Sequence, residues 1–153
     1  TSVHCKSIKH PSVPKISDAR SSIILEYEKD IRCCLSINHT HDTDIHGMKH
    51  THAYARVEGL KGAAYIKFGL LLNYPKGEPE EIEISTDGVS WTKVENVGTW
   101  FPDAFIGTMS SLQRFASAED TDLLHSVDNA YETMAVVYAC LESNKIPGTK
   151  VNY

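Results

Sequence analysis

Hydrophobic and polar residues alternate with a period of two over most of residues 1–95, and with a helical period from about residue 102 to 145. In a β-strand successive side chains point to opposite faces, so the first pattern predicts half-buried strands. The second pattern predicts amphipathic helices. Strands followed by helices are typical of an α+β fold.

Three hairpins are predicted in the alternating part. Each has two alternating segments joined by a polar or glycine-containing turn: 22–27 with 31–38, 52–58 with 64–72, and 82–86 with 89–94. In the third hairpin, Asp87 and Gly88 favour a two-residue type I′ turn. Tight turns imply antiparallel pairing, so we expect a largely antiparallel, open-faced sheet of six or seven strands.

Two helices follow the strands. Pro102 and Asp103 suit the first turn of one helix, and Ser126 suits the N-cap of the other. Apolar stripes then recur at helical spacing, in the first helix Phe105, Ile106, Met109, Leu112 and Phe115, and in the second Val127, Ala130, Met134, Val137, Tyr138 and Leu141. We expect both helices to pack on one face of the sheet. The other face, which carries Tyr65 and Lys67, would then meet solvent or a partner sheet.

The length and the net charge of the chain exclude several classes of protein. We expect one domain over residues 1–153, because a chain of this length can bury a core of its own. A formal charge of −5 gives no basic surface for nucleic acid, and no apolar stretch approaches the ~20 residues that span a bilayer. Cys5, Cys33, Cys34 and Cys140 form no CxxC pair and suggest free thiols in a reducing compartment. We therefore expect a cytoplasmic protein that binds neither nucleic acid nor membrane.

A cluster of histidines is the most unusual local composition. Five of them fall within 14 residues, at His39, His41, His46, His50 and His52. Strand parity places His39 with His41, and His50 with His52, on shared faces. Three interpretations are open: a pocket for a hydroxylated ligand, a metal site, or a polar loop without a role. The spacing matches neither HExxH nor a paired Cys/His pattern, so no metal ligand is assigned.

Trp100, Phe101 and Asp103 form a second candidate, at the junction of the sheet and the first helix. They suit either the edge of a cleft or the packing of the helix start. No GxSxG, GxGxxG or P-loop is present, and no catalytic residue is assigned. The predicted substrate-binding residues are His39, His41, His50, His52, Trp100 and Asp103.

Three segments together resemble the C-terminal domain of the glucose-fructose oxidoreductase, inositol dehydrogenase and MocA family (Gfo/Idh/MocA). They are residues 57–64, residues 98–108 reading GTWFPDAFIGT, and residues 126–148 reading SVDNAYETMAVVYACLESNKIPG. The resemblance extends over nearly the whole chain. It implies an α+β fold of the dihydrodipicolinate/glyceraldehyde-3-phosphate dehydrogenase C-terminal type.

The resemblance also implies a longer parent protein, with an N-terminal Rossmann domain that binds NAD or NADP and is absent here. Because the chain begins at Thr1 and not at Met, we expect residues to precede it. This domain would supply the wall of a pocket for a sugar, a sugar derivative or a cyclitol, and would form homo-oligomers through its open sheet face. The family's Lys in a Glu-Lys-Pro motif, and its Asp and His on a helix, have no counterpart here. We therefore expect the fragment alone to be inactive and to bind no cofactor.

Two alternatives remain open. One is a stand-alone, non-catalytic binding or assembly module that dimerises through its sheet. The other is a metal-binding protein that uses the histidine cluster. An upstream nucleotide-binding fold would exclude the first, and a metal content well below one ion per chain would exclude the second.

Overall fold

The structure is a computed structural model that describes residues 1–9, 20–38, 53–69, 79–98 and 102–148. Within these residues seven strands precede two α-helices: β1 Ser2–Ile8, β2 Arg20–Glu26, β3 Arg32–Asn38, β4 Tyr54–Gly59, β5 Gly62–Lys67, β6 Glu81–Ser85, β7 Thr92–Val94, α1 Ile106–Ala116 and α2 Val127–Lys145. A short 3-10 helix, Asp103–Phe105, leads into α1. The predicted α+β fold of antiparallel strands and C-terminal helices is confirmed.

The strands form two antiparallel sheets, one in the order β1-β2-β3 and one in the order β4-β5-β6-β7. The chain correspondingly divides into two compact units. The first, Thr1–Ile45 with Leu124–Tyr153, contains β1 to β3 and α2. The second, His46–Leu123, contains β4 to β7 and α1.

The first sheet has one buried face and one polar face. Cys5 and Leu25 lie on the buried face and are 4% and 9% exposed. On the other face the Glu26 carboxylate accepts a hydrogen bond from Ser2 Oγ at 2.9 Å and lies 3.3 Å from His4 Nε2. Both hydrogen bonds lower the pKa of Glu26, and the bond from Ser2 has the larger effect. The strand alternation thus separates an apolar from a polar face, as the sequence predicts.

The first two predicted hairpins are confirmed. The amide of Tyr27 donates to the carbonyl of Ile31 at 2.8 Å and closes the polar turn between β2 and β3. In the second hairpin Gly59 and Gly62 are register partners at the turn between β4 and β5. Residues 70–72, the end of the predicted second strand of this hairpin, lie outside the described residues.

The third hairpin pairs as predicted, but its turn is different. β6 ends at Ser85 and β7 begins at Thr92, so residues 86–91 connect them. Asp87 Oδ1 accepts hydrogen bonds from the amides of Ser90 at 2.7 Å and Val89 at 2.9 Å. These bonds lower the pKa of Asp87 to about 2, and the bond from Ser90 has the larger effect. The predicted two-residue type I′ turn is therefore wrong, because the Asp87 side chain organises a longer loop around itself.

α2 packs against β1 through its C-terminal half. The half-buried positions there follow helical spacing: Val136, Cys140, Ser143 and Asn144. The amide of Cys5 donates to Ser143 Oγ at 2.8 Å, and the amide of Ser7 donates to Asn144 Oδ1 at 2.9 Å. Lys6 Nζ also donates to the backbone carbonyl of Asn144 at 3.2 Å. Polar side chains of the helix thus satisfy backbone donors of the strand.

The helices leave their predicted apolar stripes exposed. In α1 and the residue before it the stripe is 42–62% exposed, at Phe105, Ile106, Met109, Leu112 and Phe115. In α2 the large members are 44–85% exposed, at Val127, Met134, Val137, Tyr138 and Leu141. Ser126 caps α2 as predicted, since its Oγ accepts from the amide of Asn129 at 3.2 Å. Neither helix of the described residues has the length and apolar character needed to cross a membrane.

Candidate functional site

The structure describes one of the six predicted substrate-binding residues, Asp103. The other five lie outside the described residues: His39, His41, His50, His52 and Trp100. Among the residues that are described, no three His, Cys, Asp or Glu side chains come together in a way that could hold a metal ion. The histidine cluster therefore stays a prediction, both as a ligand pocket and as a metal site.

Asp103 is the first residue of the 3-10 helix that leads into α1. It is half-buried, and the turn it begins is closed by a hydrogen bond of 3.1 Å from the amide of Phe105 to the carbonyl of Pro102. The start of the helix is thus where Pro102 and Asp103 predict it, although its first turn is 3-10 and not α. A carboxylate is favourable here because backbone N–H groups at a helix start carry partial positive charge.

Gly98 leaves room for the side chain of Asp103. A β carbon at residue 98 would lie 2.8 Å from Cβ of Asp103 and 2.9 Å from its Oδ2. Gly98 also has a φ of +98°, which side chains of other residues rarely tolerate. The glycine therefore permits a close approach that places the carboxylate beside residue 98.

A groove of about 910 Å³ lies at one end of the four-stranded sheet. It is lined by residues of β5, β6 and β7 and their extensions: Lys67, Pro79, Glu80, Glu81, Lys93, Val94, Glu95, Asn96 and Val97. Its volume is in the range of small-molecule sites, about 300–1,000 Å³. The chain continues from Val97 directly to Gly98, so Asp103 lies next to the Val97 end of the groove.

Glu81 is the centre of the charged lining of this groove. Its Oε1 lies 3.4 Å from Lys67 Nζ on β5, and its Oε2 lies 3.8 Å from Lys93 Nζ on β7. All three side chains are 43–65% exposed, so these ion pairs add little to stability. Two ammonium donors beside a carboxylate acceptor can instead hydrogen-bond a solute with several hydroxyl groups.

Aromatic side chains occupy the same face of this sheet and begin directly beside the groove, since Tyr54 is the register partner of Lys67. Tyr54 and Tyr65 are stacked with ring centroids 5.9 Å apart, and Arg56 Cζ lies 5.6 Å from the ring centroid of Trp91. Tyr65 pairs with Arg56 and Lys67 pairs with Tyr54, two residues away on β4, so Tyr65 and Lys67 share a face. We call Tyr54, Arg56, Tyr65 and Trp91 the aromatic patch.

Sequence reasoning did not identify the groove, although its signal is present. Ile82 and Ile84 alternate with Glu81 and Glu83, which places the acidic residues on the face opposite the isoleucines. The same parity places Lys67 on the mixed face of β5. What the pattern does not contain is the pairing of β6 with β5, which brings Glu81 opposite Lys67.

Neither a protein-family model nor a curated protein matches this sequence. A solved structure does match: a "putative oxidoreductase" from Thermotoga maritima superposes on 94% of this chain with a TM-score of 0.66 and 13% sequence identity. The chain shares its fold. The match covers 38% of the Thermotoga protein, so this chain spans well under half of that protein's length. At this identity the likeness concerns the fold alone.

Proposed function

We propose that this chain is the substrate-binding and oligomerisation domain of an NAD(P)-dependent oxidoreductase of the Gfo/Idh/MocA type, acting on a sugar, a sugar derivative or a cyclitol. The observation that carries the proposal is the fold match over 94% of this chain to a protein described as an oxidoreductase. The sequence resemblance of residues 98–108 and 126–148 supports the same family independently of the fold comparison.

The cofactor does not fit the residues of this chain. A dinucleotide needs a glycine-rich turn that leads from a strand into a helix, and the sequence contains no GxGxxG. The one turn with two close glycines, Gly59 to Gly62, joins the antiparallel strands β4 and β5. In this proposal NAD or NADP is therefore bound by another part of a longer protein, and this domain supplies no hydride acceptor.

Substrate binding is assigned to the groove and to Asp103 beside it. Lys67 and Lys93 can donate to hydroxyl oxygens, while the carboxylates of Glu81 and Asp103 can accept from hydroxyl groups. Charge-assisted hydrogen bonds of this kind are stronger than neutral ones and fix the orientation of a polyhydroxylated molecule. His39, His41, His50, His52 and Trp100 stay in the proposal as further contacts.

Oligomerisation is assigned to the aromatic patch. Tyr, Trp and Arg are the residues most enriched at the energetic centres of protein interfaces. Tyr54 is 60% exposed, and the guanidinium of Arg56 lies over the Trp91 ring, so the patch offers large, partly apolar surfaces to a partner. A second copy of the domain is the partner we propose.

The test is a dehydrogenase assay on the longest protein that the reading frame encodes, with a panel of sugars and inositols and with NAD and NADP in turn. Asp103→Asn should raise the substrate KM about 10- to 100-fold, the loss expected for one hydrogen bond to a charged group, and leave the cofactor KM unchanged. His39→Ala and His52→Ala should also raise the substrate KM. Asp128→Asn, an exposed carboxylate in the first turn of α2, is the matched control and should change neither constant.

Two outcomes would contradict the proposal. A reading frame without a nucleotide-binding domain would identify a stand-alone binding or assembly module. An active dehydrogenase whose substrate KM is the same in Asp103→Asn, His39→Ala and His52→Ala would retain the reaction class but remove these residues from the substrate site.

A further inference from the structure

Two of the four cysteines meet where β1 packs against α2. Cys5 lies in the middle of β1 and is 4% exposed, and Cys140 is a half-buried position of α2. The amide of Cys5 donates to Ser143 Oγ at 2.8 Å, and Ser143 follows Cys140 by three residues. Residues three apart on a helix are neighbours, with about 5–6 Å between their β carbons. The helical turn that binds the Cys5 backbone therefore also carries Cys140 to the Cys5 side chain.

Cys5 and Cys140 are neighbours within the contact between β1 and α2. Burial raises the pKa of the Cys140 thiol, and the neighbouring Cys5 thiol raises it further. Both cysteines are free thiols in this structure. Both side chains lie in the contact between β1 and α2, so a disulfide between them requires the two sulfur atoms to approach to about 2 Å.

We propose that Cys5 and Cys140 form a disulfide bond in the presence of a peroxide, and so cross-link β1 to α2. Cys140 is the more exposed thiol, and the small fraction of it that is ionised, small because its pKa is raised, attacks one oxygen of hydrogen peroxide. The O–O bond breaks, a sulfenic acid forms on Cys140, and one water is released. The Cys5 thiolate then attacks the sulfur of the sulfenic acid, the S–O bond breaks, and a second water is released. In total two thiols and one hydrogen peroxide give one disulfide and two waters, with two electrons passing from the sulfurs to the peroxide.

This cross-link would restrain almost the entire chain. It closes a loop from residue 5 to residue 140, and long loops lose the most conformational freedom when their ends are joined in the unfolded state. The bond would also make permanent a contact that is otherwise held by hydrogen bonds from Cys5 and Ser7 to α2. It requires neither substrate nor cofactor and is independent of the proposed function.

The experiment uses the chain with Cys33→Ser and Cys34→Ser, so that Cys5 and Cys140 are its only cysteines. Both replaced residues are exposed. After treatment with hydrogen peroxide and alkylation, trypsin should release residues 1–6 linked to residues 115–145, lighter by two hydrogen atoms than the two peptides together. The melting temperature should rise by roughly 5–15 °C and return to its starting value on reduction with a phosphine.

Cys140→Ser in the same background is the control, because it leaves the buried Cys5 in place. It should give no linked peptide, and peroxide should not change its melting temperature. The proposal is overturned if folded protein accumulates a sulfinic acid on Cys140 or an intermolecular dimer without the linked peptide. It is also overturned if the linked peptide forms only after the chain has been unfolded.

Discussion

Replacement of Gly62 by alanine should separate β5 from β6. Gly62 has a φ of +153°, and a β carbon there would overlap the backbone oxygen of Ser85 and lie 3.2 Å from Cα of Thr86. These atoms belong to the backbone of β6 and the residue after it, so no side chain can rotate away to make room. The register pair of Ala63 and Ser85 lies directly beside the clash and would be lost first.

The magnitude follows from two effects. A backbone conformation that only glycine tolerates costs about 1–3 kcal/mol for another residue, and forced overlap in a packed region costs about 1–3 kcal/mol. Gly62→Ala should therefore lower the free energy of unfolding by roughly 2–6 kcal/mol, a large part of the 5–15 kcal/mol typical of a folded domain. With an m value of about 2 kcal/mol per M, the urea midpoint should fall by about 1–3 M.

Gly59 provides the matched control, because it lies across the same turn from Gly62. A β carbon at Gly59 would meet its nearest atom, the oxygen of Gly62, at an ordinary distance of 3.8 Å. Gly59→Ala should thus change stability by less than about 1 kcal/mol. Urea unfolding followed by far-ultraviolet circular dichroism compares the two variants. Coincident midpoints would show that β5 and β6 do not approach as described, and would refute the reasoning.

Three further predictions concern hydrogen bonds. Ser126→Ala removes the N-cap of α2 and should lower the free energy of unfolding by about 1 kcal/mol, as measured by urea titration. Ser143→Ala leaves the buried amide of Cys5 without its acceptor and should cost about 1–3 kcal/mol by the same titration. The low pKa of Asp87, about 2 against an ordinary 3.8, stabilises the folded state above pH 3.8, and this contribution disappears as pH falls through 2. Asp87→Asn should therefore lower the urea midpoint at pH 5 and have a smaller effect at pH 2.

Each of these has its own control. Ser110→Ala, inside α1, should leave stability unchanged or raise it slightly, and an equal loss there would show that Ser126 has no special role as a cap. Glu142→Ala removes the neighbour of Ser143, an exposed residue paired with Lys145, and should have little effect. For Asp87, an equal difference between wild type and Asp87→Asn at both pH values would contradict the proposed hydrogen bonds.

The strands were predictable because alternation acts locally. The alternation of apolar and polar residues within a strand indicates which of its faces is buried. Short turns at residues 28–30 and 59–62 then join strands that follow each other in the sequence. The loop at Asp87 was not predictable from its Asp-Gly pair, because hydrogen bonds of the Asp87 carboxylate determine the loop's conformation. That side chain accepts the amides of Val89 and Ser90, and thereby favours a loop over a two-residue turn.

The packing of α2 shows a second feature that the sequence pattern could not predict. Its apolar spacing marks Met134, Val137 and Leu141 as one stripe, yet the positions next to β1 include Cys140 and Ser143 on another side of the helix. The pattern of apolar residues does not predict this contact, because the contact consists of hydrogen bonds between polar side chains of α2 and the backbone of β1. For the candidate site, the pattern located Asp103 at the start of a helix but not the groove beside it. The groove depends on the pairing of three strands, which no single segment specifies.

The hydrogen bonds from Cys5 and Ser7 to α2 have a consequence for self-association. An antiparallel strand at the side of a sheet directs alternate N–H groups outward, where they form a template for a strand of another molecule. On β1 two of these groups are already engaged by Ser143 and Asn144. Growth of the three-stranded sheet into an intermolecular ribbon is thereby blocked at β1. Ser143→Ala and Asn144→Ala would remove that protection, so a loss of stability there would be accompanied by a new tendency to aggregate.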